Sequence, residues 1–171
     1  MINKIRSNAP FAGLVCGWLL GILIFYILSH IDLNLPLYTP SALTFKDACL
    51  AILSQLKLFI IVALLGTSML SGIIPPVLVL IKSTLASFSC ALVYSSAVST
   101  DSFDLQYFAF ALTSSMMCVF LTSSARLAHI FYTKVPHESI PNVLDYIARQ
   151  LFTMGFAIFA MTFYYTVLAL T

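Results

Sequence analysis

The sequence predicts an all-α, polytopic membrane protein of about five transmembrane helices, oriented N-in and C-out. Three observations predict it. Hydrophobic types make up 61 % of the 171 residues and charged types 8 %, with mean hydropathy +1.03. A soluble domain is about 45–50 % apolar and about 25 % charged. Too few charged side chains are present to cover a soluble globule, and a disordered chain would be polar and charged. Second, apolar runs long enough to cross a bilayer, roughly 20 residues each, recur five times with short connections. Third, Lys and Arg gather near the ends of these runs on one side.

Span one is 11–29. It follows a basic start (Lys4, Arg6) and so looks like a signal peptide. The run outlasts the usual apolar core of about 7–15 residues, and no small-x-small cleavage site follows. The next residues are His30, Ile31, Asp32 and Leu33. It reads as a retained transmembrane helix. Asn34, Pro36, Pro40 and Ser41 then make a loop.

Span two is 48–70. Its lead-in, 45–57, carries apolar residues at helical spacing with Lys46, Asp47, Ser54, Gln55 and Lys57 between them, which places the first turns in the interface. Gly66 suits a helix C-terminus and Pro75 a first helical turn, which predicts a tight turn near 71–74. Span three is 75–96. Asp101 or Ser102 is placed to cap span four, 105–125. A basic amphipathic tail, 126–134, continues it. Pro136 and Pro141 bracket the next loop; 142–150 is polar with helical period, and span five is 151–170. No internal repeat or soluble domain appears. The whole chain, 1–171, reads as a single integral membrane domain.

Orientation follows from the cations. Lys4 and Arg6 precede span one; Arg126, Lys134 and Arg149 lie between spans four and five. Five spans put both groups on one side, which should be cytoplasmic. Lys46 stands on the other.

Several function classes are poorly supported. A net charge of +2 with scattered cations argues against nucleic acid as a partner. Cys16, Cys49, Cys90 and Cys118 show no CxxC spacing and read as small hydrophobes. No cofactor or metal is implied. All six acids (Asp32, Asp47, Asp101, Asp104, Glu138, Asp145) lie in loops or helix ends, and HExxH, GxSxG and Walker patterns are absent. His129, Tyr132, His137 and Glu138 cluster at no recognisable metal spacing. The chain is not expected to be an enzyme.

Packing and partner positions remain. Gly13, Gly17 and Gly21 form GxxxGxxxG on one helix face, which permits close helix contact in lipid. The partner is a span of this chain or of another protein. Ser83, Ala86, Ser87, Cys90 and Ala91 form a second small-residue stripe. Lys82 is the most expensive residue, since a mid-membrane Lys costs on the order of 2.5–3.5 kcal/mol. It either snorkels or serves a partner. The carbonyls opened at the span-two break and a lipid phosphate are its expected contacts. Lys57, nearer an interface, is expected to snorkel.

The segment LSQLKLFIIVALLGTSMLSGIIPPVLVLIKSTLASFSCALVY carries a family signature. Leu64-Leu65-Gly66-Thr67-Ser68 matches an LLG-x-S helix end; Ser71-Gly72-Ile73-Ile74-Pro75 matches a Gly/Pro turn. Lys82-Ser83 stands where Lys-Gly is usual, and Ser87-Phe88 where Gly-Phe is usual. Arg126 sits in a Ser/Arg helix end, 122–127. In these features the chain resembles the bacterial stage II sporulation protein M family; its first loop is shorter than in that family. The resemblance implies a non-enzymatic, multi-pass scaffold of the bacterial cytoplasmic membrane. It would anchor a peptidoglycan-remodelling complex for engulfment during endospore formation. Stage II sporulation proteins D and P, and membrane lipid, would be its partners. The alternative is a small transporter or permease subunit, suggested by the interrupted spans and Lys82.

Overall fold

The computed structural model describes residues 2–31, 45–99, 105–134 and 140–170. Among them five α-helices carry almost all of the chain: α1 (Ile2–His30), α2 (Phe45–Leu65), α3 (Ile74–Ser99), α4 (Leu105–Lys134) and α5 (Ile140–Leu170). Each contains a stretch long and apolar enough to cross a membrane: Asn8–His30, Lys46–Leu65, Ile74–Ser99, Leu105–Thr133 and Asn142–Leu170. The expected loop prolines 36, 40 and 136, the cap at 101–102, and His137 and Glu138 lie outside the described residues.

Boundaries shift where local chemistry outweighs the apolar run. α1 continues back through Pro10 to Ile2; the missing donor at residue 10 removes only the bond to carbonyl 6, ahead of the apolar run. α2 stops at Leu65, earlier than the expected 70, and a 3-10 turn, Met69–Gly72, follows. Ser68 caps that turn, its Oγ accepting from the Leu70 N–H at 3.3 Å. The Ile73 N–H donates to the Leu70 carbonyl at 3.1 Å. Pro75 and Pro76 then occupy the first turn of α3, where no intrahelical donor is missed. Pro141 likewise sits in the first turn of α5 rather than in the preceding loop. The tail after 125 and the polar stretch 142–150 are continuous with α4 and α5.

α1 lies chiefly on α3, and α4 on both α5 and α3. α1 and α3 run parallel, since Gly13, Gly17 and Gly21 meet residues near 76–80, 80–83 and 84–88 in rising order. α4 and α5 run antiparallel, with Phe110 against Tyr164, Phe120 against Phe156 and Phe131 against Tyr146. This order brings positions 4, 6, 126, 134 and 149 to one end of the bundle.

The centre holds Phe59, Val62, Val79, Leu121, Ala125, Ala157 and Met161, drawn from α2 to α5. α4 is the most enclosed span and α2 the least. Large apolar side chains such as Leu19, Leu64 and Phe159 stay on the outside. That is the arrangement expected where the solvent is acyl chain, because burying them against protein brings no hydrophobic gain.

Candidate intramembrane site

Lys82 lies on α3, eight residues beyond Ile74 and hence about 12 Å along the helix axis. Gln55 lies on α2, ten residues before Leu65 and hence about 15 Å from that helix end. The two helices run antiparallel, so their side chains meet at one depth. Lys82 Nζ donates to Gln55 Oε1 at 2.7 Å. The expected contacts, open carbonyls at the break or a lipid phosphate, are replaced by an amide from the neighbouring span. Gln55 belongs to the stretch expected in the interface, and antiparallel pairing draws it to the depth of Lys82.

The pair borders a cavity of about 250 Å³ between α2, α3, α4 and α5. Ser89, Thr113, Ser114 and Tyr164 add polar atoms; Phe110, Met117 and Met161 add apolar wall. Leu85, 58 % exposed, stands at its mouth. Thr113 Oγ1 reaches the Ala160 carbonyl at 3.4 Å, tying α4 to α5 on the far wall. Among the described residues, no acidic one lines the cavity.

A second polar centre joins α2, α4 and α5 near the α2 end. Ser124 Oγ donates to Gln150 Oε1 at 2.6 Å. Gln150 Nε2 donates to the Ser124 carbonyl and to Tyr146 Oη, each at 3.1 Å. Tyr146 Oη donates to the Ala63 carbonyl at 2.7 Å. Phe131 stacks on the Tyr146 ring at 4.2 Å. The Ala63 carbonyl also accepts from the Gly66 N–H at 3.1 Å, so the tyrosine adds a second bond to a carbonyl in the last turn of α2. Sequence reasoning read Tyr146 and Gln150 as a polar lead-in. Their i, i+4 spacing at the start of an apolar run is the signal that marks a shared, inward face.

The sequence-selected positions fall into three groups. Gly13, Gly17 and Gly21 face α3, and Ser83 and Ser87 face them. Ser83 Oγ reaches the Gly13 carbonyl at 3.3 Å and Ser87 Oγ the Gly17 carbonyl at 3.5 Å. Gly66, Gly72 and Pro75 form the connection between α2 and α3. Gly66 is there for space rather than for a left-handed cap: a side chain would run into Tyr146 and into the Ala128 backbone. Gly72 lies against His129, and Ser71 and Pro75 are buried. Arg126 is exposed on α4, apart from both polar centres. Asp145 and Arg149 pair at 2.8 Å on the exposed face of α5.

The four cysteines are free, and among the described residues no three His, Cys, Asp or Glu gather closely enough to hold a metal ion. Chemically, the Lys82 cavity can neutralise and hydrogen-bond an acceptor about midway along the spans, whereas the polar atoms of Ser124, Gln150 and Tyr146 bond one another and the Ala63 carbonyl and link helices. Compared with known proteins, the chain matches no family model, no curated protein and no solved structure.

Proposed function

We propose that this multi-pass protein is a non-enzymatic membrane scaffold, oriented N-in and C-out, that positions other proteins in or at the bacterial cytoplasmic membrane. The observation that carries it is where the intramembrane polar groups spend their hydrogen bonds. Ser124, Gln150 and Tyr146 tie α4, α5 and α2 together, while Thr113 reaches from α4 to α5 and Ser83 and Ser87 from α3 to α1 at longer range. Such cross-helix bonds rigidify a bundle; a reaction centre instead turns its polar groups toward substrate. The cations at 4, 6, 126, 134 and 149, all at one end, support the orientation.

The resemblance to stage II sporulation protein M names the setting. The scaffold would anchor the engulfment complex during endospore formation, with stage II sporulation proteins D and P supplying the wall chemistry. The test is crosslinked pull-down of the full chain from native membranes during sporulation. Co-recovery of wall-remodelling enzymes is the expected result. Recovery of an ATPase with no wall enzyme would overturn it and favour the second reading, a transporter or permease subunit. The cavity beside Lys82 is what favours that reading.

A further inference from the structure

We propose that the Lys82 cavity receives the carboxylate of an Asp or Glu on a partner protein's transmembrane helix, docked along the seam between α2 and α3. The inference rests on the scaffold reading and names how a partner would be held. Four observations lead to it.

The first is depth. Lys82 sits about 12 Å from the near end of its helix, and the hydrocarbon half-thickness of a bilayer is about 15 Å. A phospholipid phosphate would have to sink almost to the midplane to meet it, whereas an acid within a spanning helix is already there. The second is charge. A mid-membrane cation is expensive unless paired, yet among the described residues no acid lines the cavity; Asp47 lies at the start of α2 and Asp145 pairs with Arg149 on α5. A carboxylate on a partner's span supplies the complementary charge at that depth.

The third is donor supply. Gln55 Oε1 takes one of the three Nζ donors. That leaves the other Nζ donors and the Gln55 amide N–H₂ to share among acceptors; a carboxylate accepts about four hydrogen bonds. The fourth is shape. About 250 Å³ accommodates one acidic side chain but no helix, so the helix itself must lie outside. The α2–α3 contact is the sparsest between the spans that touch, and Leu85 lies exposed at the mouth. A helix resting there would cover Leu85 while its carboxylate reached Lys82.

The experiment places a photocrosslinker at the mouth (Leu85→p-benzoylphenylalanine) in the full chain, irradiated in native membranes. The expected adduct is a protein whose crosslinked span contains Asp or Glu. Its yield should fall about tenfold, equivalent to about 1.4 kcal/mol, with Lys82→Leu and persist with Lys82→Arg. Exchanging the charges, Lys82→Glu with the partner's acid replaced by Lys, should restore it; that rescue also excludes a folding defect as the cause of loss. A lipid-only adduct, no adduct, a partner span without an acid, or a yield indifferent to Lys82→Leu would each overturn the inference. Wall enzymes pulled down equally well with Lys82→Leu remove this inference alone; a pull-down that recovers no partner removes the scaffold reading as well.

Discussion

Two of the helices beside α3, α1 and α2, meet it in opposite ways. Toward α1 it presents Ser83 and Ser87 to three glycines, and the backbones approach so closely that an added Cβ at Gly17 would lie 2.6 Å from the Leu80 carbonyl. Toward α2 it presents Lys82 and Leu85, contact is sparse, and a cavity opens. The two faces belong to one helix in one solvent. The difference shows what earns contact in lipid. With no hydrophobic gain from leaving acyl chains, helices close only where small side chains let dispersion and hydrogen bonds act at short range. Where side chains are long, a polar bridge spans what remains.

The comparison breaks first at Gly17. Gly17→Leu should lose about 3 kcal/mol of stability, at or beyond the upper end for overpacking, because the obstruction is Leu80 backbone as well as the Ser83 side chain. SDS-titrated unfolding in mild detergent reads it. A graded series sharpens the point. Alanine should hurt most at Gly21, where a Cβ meets the Thr84 carbonyl and lies 2.9 Å from the Phe88 N. It should hurt least at Gly13, where the nearest atom is the Pro76 carbonyl at 2.8 Å. A flat series would mean that the two helices are not held at this separation.

Next comes the tether that replaces close packing for α2. Gly66→Ala should cost about 2 kcal/mol, since the new methyl displaces Tyr146 and leaves the Ala63 carbonyl without it. Tyr146→Phe keeps the ring on Phe131 and removes only the hydroxyl, for about 1 kcal/mol. If the two variants lose equal stability, the hydroxyl rather than the space at Gly66 holds α2 in place. Gln55→Leu, on the seam itself, should change stability by less than about 1 kcal/mol, measured in the same way. A larger loss would make the Lys82–Gln55 bridge structural.

Much of this was legible in the residues. Five apolar stretches and the GxxxGxxxG face are composition and spacing, and both describe one helix at a time. The sequence expectation for Gly66 was a helix terminus, and a terminus it is, but for a reason that lies 80 residues away in Tyr146. The polar residues around Gln55 predict an interfacial position; its depth comes from the register of α2 against α3. Gln150 shows the same blindness, since its partner Ser124 is on another helix. Local pattern reveals which face is small or wet. Which polar group meets which is decided by how helices stack, and a single chain carries no periodic trace of that.

The smallest expected effect addresses what the serines of α3 are for. Ser83 and Ser87 face the glycines of α1. Both hydroxyls also bond within α3, Ser83 to the Val79 carbonyl at 2.8 Å and Ser87 to the Thr84 carbonyl at 3.2 Å. Their reach to α1, at 3.3 and 3.5 Å, is long for a hydroxyl donor. Size rather than hydrogen bonding should therefore matter. Ser87→Ala, and Ser87→Gly beyond its helix-propensity cost, should each cost no more than about 0.6 kcal/mol, the average for such bonds in membrane bundles. Ser87→Leu should instead approach the loss seen at Gly17, because the same gap is filled from the opposite side. If Ser87→Ala proved as damaging as Ser87→Leu, the hydroxyl would be the grip between α1 and α3, and the contrast between the two faces of α3 would rest on polarity instead of on size.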